Sequence, residues 1–178
     1  VMNRLVTQTL ELARGLGKRE QPDMPLADFL DQLVEQHVRD GEPVTLEKGS
    51  GCTFMIPSHP LRRILENLVG NALRYSDNQP VNLSVECHED SAVLSIRDRG
   101  PGIPADLRKK VFTPFVRLEN SRNPQTGGSG LGLAITRQLC DFYGWDIHLD
   151  EAPGGGLEAS LRITASPAER ETGPRETA

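Results

Sequence analysis

Apolar side chains recur with helical spacing in four stretches of the chain and alternate with polar ones in several others. Met2, Leu5, Thr9, Leu12 and Leu16 step by three and four, the seam of a helix that packs on other helices, and Gly15 and Gly17 mark its end. Two heptads do not hold a helix in water alone, so residues 1–17 are expected to pack either on the domain's own core or, as a heptad seam favours, in a bundle whose partners lie elsewhere. After a linker at 18–25, Leu26, Phe29, Leu30, Leu33, Val34 and Val38 predict an amphipathic helix, with Asp23 as its cap and Asp40-Gly41 as its stop. Short strands are expected over Val44–Glu47 and Cys52–Ile56. From Ser58 a longer helix carries Leu61, Ile64, Leu65, Leu68 and Ala72 on one stripe and stops near Ser76-Asp77-Asn78. Val81–Cys87 and Ala92–Ile96 alternate and read as a hairpin through His88-Glu89-Asp90-Ser91. A Gly/Pro turn at 99–104, a short helix to Phe112 and a loop of about 15 residues, long enough to point to function, precede a helix over Leu131–Tyr143. Strands at Asp146–Glu151 and Leu157–Ile163 close a domain over 26–164, and residues 165–178, without a large apolar side chain, are expected to be a disordered tail. Helices and paired strands thus segregate into an α+β two-layer sandwich.

Composition narrows the field. The 178 residues suit one domain with a helical appendage. With 37% hydrophobic residues, wholesale disorder is excluded. A net charge of -5 repels nucleic acid and anionic membranes, so a phosphate-bearing ligand needs a local site. Cys52, Cys87 and Cys140 are odd in number, far apart in sequence and without a C-x-x-C pair, which points to a reduced compartment. The longest uncharged stretches are rich in Gly, Ser, Thr and Pro, so none is expected to span a bilayer. A first residue of Val and the lack of a basic-then-apolar leader read as a piece of something longer.

Three stretches carry chemistry. Asn67 and Asn71 lie one turn apart, a quarter turn from the apolar stripe, and an amide oxygen is a neutral, hard ligand suited to Mg²⁺. Arg74 and Tyr75 follow with a phosphate-binding cation and a flat ring. The plain alternative is that such asparagines only bond a neighbouring loop. Asp98 ends an apolar strand and precedes Gly100-Pro101-Gly102-Ile103, so it can accept the exocyclic amine of adenine while the glycines let the backbone approach; turn chemistry alone also accounts for the run. Gly127-Gly128-Ser129-Gly130-Leu131-Gly132-Leu133 opens a helix, where free N–H groups and the dipole favour a polyphosphate. Leu133 stands where a Walker loop needs Lys and where a dinucleotide fingerprint needs Gly, so neither familiar phosphate loop fits, and a flexible glycine-rich loop remains open.

The order N-x-x-x-N, D-x-G-x-G, Val111-Phe112-Thr113-Pro114-Phe115 and G-x-G-L-G-L resembles the catalytic and ATP-binding domain of two-component sensor histidine kinases, whose N, G1, F and G2 boxes these are. That domain belongs to a wider group with gyrase, the Hsp90 chaperones and the MutL repair proteins. Pro114-Phe115-Val116-Arg117 and Gly155-Gly156-Leu157 are most similar to the EnvZ type of membrane sensor. The resemblance covers roughly 26–163 and implies a Bergerat-type sandwich, with ATP between the Asn-bearing helix and a lid over 113–129. By the family's motif it implies Asn71 on Mg²⁺, Asn67 on the phosphates or metal, and Arg74 and Arg117 on the phosphates. Tyr75 and Ile103 become the adenine walls and Asp98 the partner of the adenine amine. Gly100, Gly102, Gly128, Gly130 and Gly132 shape pocket and lid, with Ser129 and Leu131 offering backbone N–H groups to the nucleotide. Phe112 and Phe115 fit a lid anchor and plain core filling equally well.

Family kinases phosphorylate a His followed by an acidic residue and soon a Pro on a dimeric bundle, and His37, His59, His88 and His148 all lack that context. The resemblance therefore implies half an enzyme: residues 1–17 as the end of the second bundle helix, and a monomeric piece of a membrane-anchored homodimer, cytoplasmic, acting with its own phosphoacceptor bundle and a response regulator receiver domain. ATPases of the wider group place a water-activating Glu where this chain has Asn67, and Glu66 next to it is turned by about 100° around the helix. Slow hydrolysis and transfer to a histidine are expected. An ATP hydrolase, a non-catalytic nucleotide-sensing module and an anti-sigma serine kinase are the alternatives, the last disfavoured by the seam at 1–17.

Overall fold

The computed structural model describes residues 22–49, 52–76, 79–118 and 129–165. The expected bundle seam at 1–17, residues 119–128 of the expected lid with Gly128 among them, and the expected tail beyond 165 lie outside them. The elements in chain order are β1 (Met24–Pro25), α1 (Leu26–Arg39), β2 (Val44–Lys48), β3 (Met55–Ile56), α2 (Ser58–Tyr75), β4 (Val81–Cys87), β5 (Ser91–Arg97), a 3-10 turn (Lys110–Phe112), α3 (Gly132–Tyr143), β6 (Asp146–Glu151) and β7 (Leu157–Thr164).

Five strands make one sheet in the order β2-β4-β5-β7-β6, antiparallel except for the parallel pair β2 and β4. Register lines up its apolar positions in rows: Leu46, Leu83, Ile96, Ala159 and Leu149 form one, and Val85, Leu94, Leu161 and Ile147 the next. Side chains alternate along a strand, so these rows share one face, which the helices cover; α1 lies over β2, α2 over β4 and β5, and α3 over β6. The other face carries polar rows, among them the Arg97 and Glu158 pair, whose Nε–Oε2 distance is 3.0 Å. Phe29, Leu30, Leu33, Leu61, Ile64 and Leu65 from the helices and Leu83, Leu94 and Leu161 from the sheet are at most 1% exposed and form one continuous core. This is the expected α+β two-layer sandwich.

Four local expectations are corrected. Asp23 does not cap α1: no side chain does, and the Leu26 and Ala27 N–H groups donate instead to the Phe54 and Cys52 carbonyls at 3.1 and 3.3 Å. The strand expected over Cys52–Ile56 is reduced to Met55–Ile56, which pairs with Met24–Pro25 from the end of the supposed linker. Ala165, placed in the tail, is 4% exposed and its N–H donates to the Asp90 carbonyl, so it belongs to the domain. Cys52 and Cys87, taken as separate thiols, are joined in a disulfide, and Cys140 is free and buried.

Candidate active site

A cavity of about 590 Å³ opens between α2, the turn after β5 and the start of α3. Its floor is α2. The helix turns its Leu61, Leu65 and Leu68 stripe to the core, and the same pitch carries Asn67, Asn71, Arg74 and Tyr75 round to the cavity side. Asn67 Nδ2 donates to the Gly132 carbonyl at 3.2 Å, tying the floor to the first residue of α3. The plain reading of an asparagine that bonds a neighbouring loop thus holds for one half of the Asn67 amide, while the Asn71 amide makes no bond among the described residues.

One wall is built on Asp98, 5% exposed. Its Oδ1 accepts the N–H groups of Gly100 at 2.8 Å and Leu157 at 3.0 Å, and its own N–H donates to the Leu157 carbonyl at 2.9 Å. A buried carboxylate oxygen fixed by two backbone donors leaves the other oxygen aimed by the backbone rather than by a flexible side chain. Two glycines make the arrangement possible. A Cβ on Gly100 would overlap the carbonyl of Tyr75, and one on Gly156, at φ +100, would overlap the carbonyl of Asp98. The turn therefore packs against the last residue of α2, bringing Tyr75 and Ile103 to one end of the cavity with Asp98.

The opposite wall is the start of α3. No acidic residue stands in its first turn, and among the described residues no side chain caps it; Ser129 Oγ accepts the Leu131 N–H, at 3.3 Å. Among the described residues nothing takes the first N–H groups of the helix or neutralises its positive end, which faces Asn67. Gly130, at φ +69, places its carbonyl to accept the Phe115 N–H at 2.9 Å, and Phe115 itself adopts φ 65. Phe112 and Phe115 part company here: Phe112 packs against the core, whereas Phe115 is 47% exposed and spends its backbone on Gly130.

Of the expected site residues, Asn67, Asn71, Arg74, Tyr75, Asp98, Gly102, Ile103, Arg117, Ser129, Gly130 and Gly132 line this cavity. Gly100 shapes it from behind and Leu131 is the residue preceding α3. Sequence reasoning missed the apolar lining from Leu107, Val111, Leu133 and Leu157. It also missed Gly70, and Glu66, expected to turn about 100° from Asn67, borders the cavity all the same. For Leu157 the signal was the run Gly154-Gly155-Gly156 before it, all three at positive φ. Among the described residues no group of three or more His, Cys, Asp or Glu could hold a metal. A cation here would take amide oxygens from the protein and its remaining ligands from phosphate and water, as Mg²⁺ does with nucleotides. No helix among the described residues is long and apolar enough to cross a membrane.

Comparison with known proteins points the same way. The model of the histidine kinase-, DNA gyrase B- and HSP90-like ATPases matches residues 56–167. The signal transduction histidine-protein kinase AfsQ2 of Streptomyces coelicolor is 33% identical over 181 residues, covering 98% of this chain and 33% of AfsQ2. The sensor protein RstB of Escherichia coli is 35% identical over 148 residues, covering 79% of this chain and 33% of RstB. The chain thus spans about a third of the length of these curated relatives. The mycobacterial sensor histidine kinase MprB shares the fold with a TM-score of 0.66 at 26% identity, over 82% of this chain and 98% of that one. Full-length ShkA, solved in complex with AMPPNP, has a TM-score of 0.67 at 24% identity, over 82% of this chain and 31% of that one, and speaks for the fold alone. With four sequence motifs converging on one cavity and a family model matched from β3 to the end of the described chain, the protein belongs to the histidine kinase-, DNA gyrase B- and HSP90-like ATPase family.

Proposed function

We propose that this chain is the catalytic, ATP-binding part of a two-component sensor histidine kinase, passing the γ-phosphate of ATP to a histidine on a dimerisation bundle and from there to an aspartate of a response regulator. The supporting observation is the single cavity that joins Asp98 at one end to Asn67, Asn71 and the start of α3 at the other. Adenine stacks between Tyr75 and Ile103 with its amine on Asp98. The polyphosphate runs toward the N–H groups of α3, with Arg74 and Arg117 as counter-charges. Mg²⁺ would be held by Asn71, with Asn67 Oδ1 as the second amide oxygen, and would neutralise the phosphates when bound. Phosphoryl transfer needs positioning and charge neutralisation more than covalent help from the protein, and these residues supply both. The parent is proposed to be a membrane-anchored homodimer with this domain in the cytoplasm.

Calorimetry with ATP and Mg²⁺, followed by γ-labelled ATP with and without the parent's helical bundle, tests the reading. Nucleotide binding with label only on the added bundle, lost in acid and kept in base, is the expected result. Label on this chain alone would overturn it. A second reading, slow ATP hydrolysis, is favoured by one observation, the position of Glu66 at the cavity border. Steady phosphate release by the chain alone, abolished in Glu66→Gln, would select it.

A further inference from the structure

We propose that Cys52 and Cys87 form a reversible modification site for small-molecule thiols, whose oxidised state clasps the entry of the domain to its sheet. The two Cα atoms lie 5.3 Å apart across a sequence separation of 35, within easy reach of a bridge. The two ends differ in access. Cys52 is 4% exposed, whereas Cys87 is only partly buried at the end of β4. The third cysteine stays out of the exchange, since burial pushes the Cys140 thiol up to about 12 and keeps it protonated at neutral pH.

What the bond fastens follows from the backbone of residues 52–56. The Cys52 and Phe54 carbonyls accept the first N–H groups of α1, and Met55–Ile56 pair with Met24–Pro25. No side chain caps α1, so this segment is what its first turn rests on. The Cys52 sulfur continues the path to β4, whose Cys87 pairs with Ala92 in the sheet. Oxidation thus couples the point where residues before 22 join the domain directly to the central strands. Reduction leaves the segment tied to the sheet only through the packing of Phe54 and Ile56, 5% and 0% exposed, while its backbone bonds reach α1 and β1 alone. Neither cysteine lines the nucleotide cavity, so the device acts on the entry joint and not on ligand binding.

The exchange balances without a protein cofactor. A dithiol attacks the accessible Cys87 sulfur and expels the Cys52 thiolate, which takes a proton. The second thiol of the reagent then displaces Cys87, leaving two protein thiols and one cyclic disulfide, two electrons and two protons transferred in all. A small-molecule disulfide such as oxidised glutathione reverses the change and leaves as two thiols. Disulfides in the cytosol are mostly transient or redox-sensing; the reversible half of the inference rests on the cytoplasmic placement proposed above, while the bond itself does not.

The test uses the whole chain equilibrated in oxidised glutathione or in excess reduced glutathione, then alkylated and mapped by mass spectrometry. Cys52 and Cys87 should be protected together in the first and alkylated together in the second. Reduction should lower the melting temperature by about 10 °C and raise amide exchange at Leu26 and Ala27 by at least ~10-fold, while Mg-ATP affinity stays within about twofold. Cys87→Ser and the double Cys52→Ser/Cys87→Ser should behave as the reduced protein in either buffer. Alkylation of both cysteines in oxidised glutathione would overturn the site, and a bond that excess reduced glutathione cannot open would overturn its reversibility. Exchange at residues 24–27 rising no more than in β5 would overturn the clasp. Loss of nucleotide binding in both states would instead remove the kinase reading and leave the clasp standing.

Discussion

Asp98 is proposed to carry two duties on one side chain, one to the backbone and one to the ligand. Oδ1 is committed to Gly100 and Leu157, so Asp98→Asn can keep both backbone donors through its amide oxygen while turning an NH2 donor toward the adenine amine. The expected outcome is a folded protein whose ATP affinity falls by about 10- to 100-fold, read by calorimetry beside the melting temperature; unchanged affinity would remove Asp98 from the ligand. Gly70 offers the reverse experiment. It lies inside α2, and a Cβ there would meet no atom within 4 Å. Gly70→Ala should therefore stabilise the free protein by about 1 kcal/mol in urea titration, since no packing among the described residues calls for a glycine. The charge of Asp98 and its place after an apolar strand were legible in the sequence. Its donor Leu157 was not, because the two are 59 positions apart and only the sheet brings them together.

Elements defined by periodicity matched the sequence closely: α2 and the β4–β5 hairpin begin and end within a residue or so of where their patterns predict. Failures gather where a distant backbone replaces a local device. Asp23 was a reasonable cap by spacing, but carbonyls from residues 52–54 took the N–H groups it would have served. The short helix before Phe112 tightens to a 3-10 turn in which only Val111 is buried, too little apolar surface to extend it. The start of α3 depends on a joint of the same kind, with Gly130 at φ +69 against Phe115. At that position Gly130→Ala would strain the backbone and press a Cβ to 3.0 Å from the Phe115 Cα. A loss of about 1–2 kcal/mol of stability is expected, together with weaker nucleotide binding, checked by denaturation and calorimetry on the same samples.

For the molecule as a whole, ligand and fold are linked. ATP with Mg²⁺ at a concentration of 100 dissociation constants should add about 2.7 kcal/mol of stability. Scanning calorimetry with and without Mg²⁺ should show the same gain made independent of metal by Asn71→Ala. The two-layer architecture was readable because alternation and helical stripes each specify a buried face. The strand order β2-β4-β5-β7-β6 and the Cys52–Cys87 bond were not, since both are choices of partner across long stretches of chain. That choice of partner reaches into synthesis. The Asp98–Leu157 bonds extend the pairing of β5 with β7 by one step, so the carboxylate is oriented only after residues 91–97 have met residues 157–164. A chain leaving the ribosome carries α2, both asparagines and Asp98 long before it carries Leu157. Nascent chains stalled before Leu157 emerges should therefore not be retained on an ATP resin, and those in which a linker appended after residue 178 has carried β7 clear of the exit tunnel should bind. The pocket is then completed only when β7, the last strand among the described residues, joins the sheet.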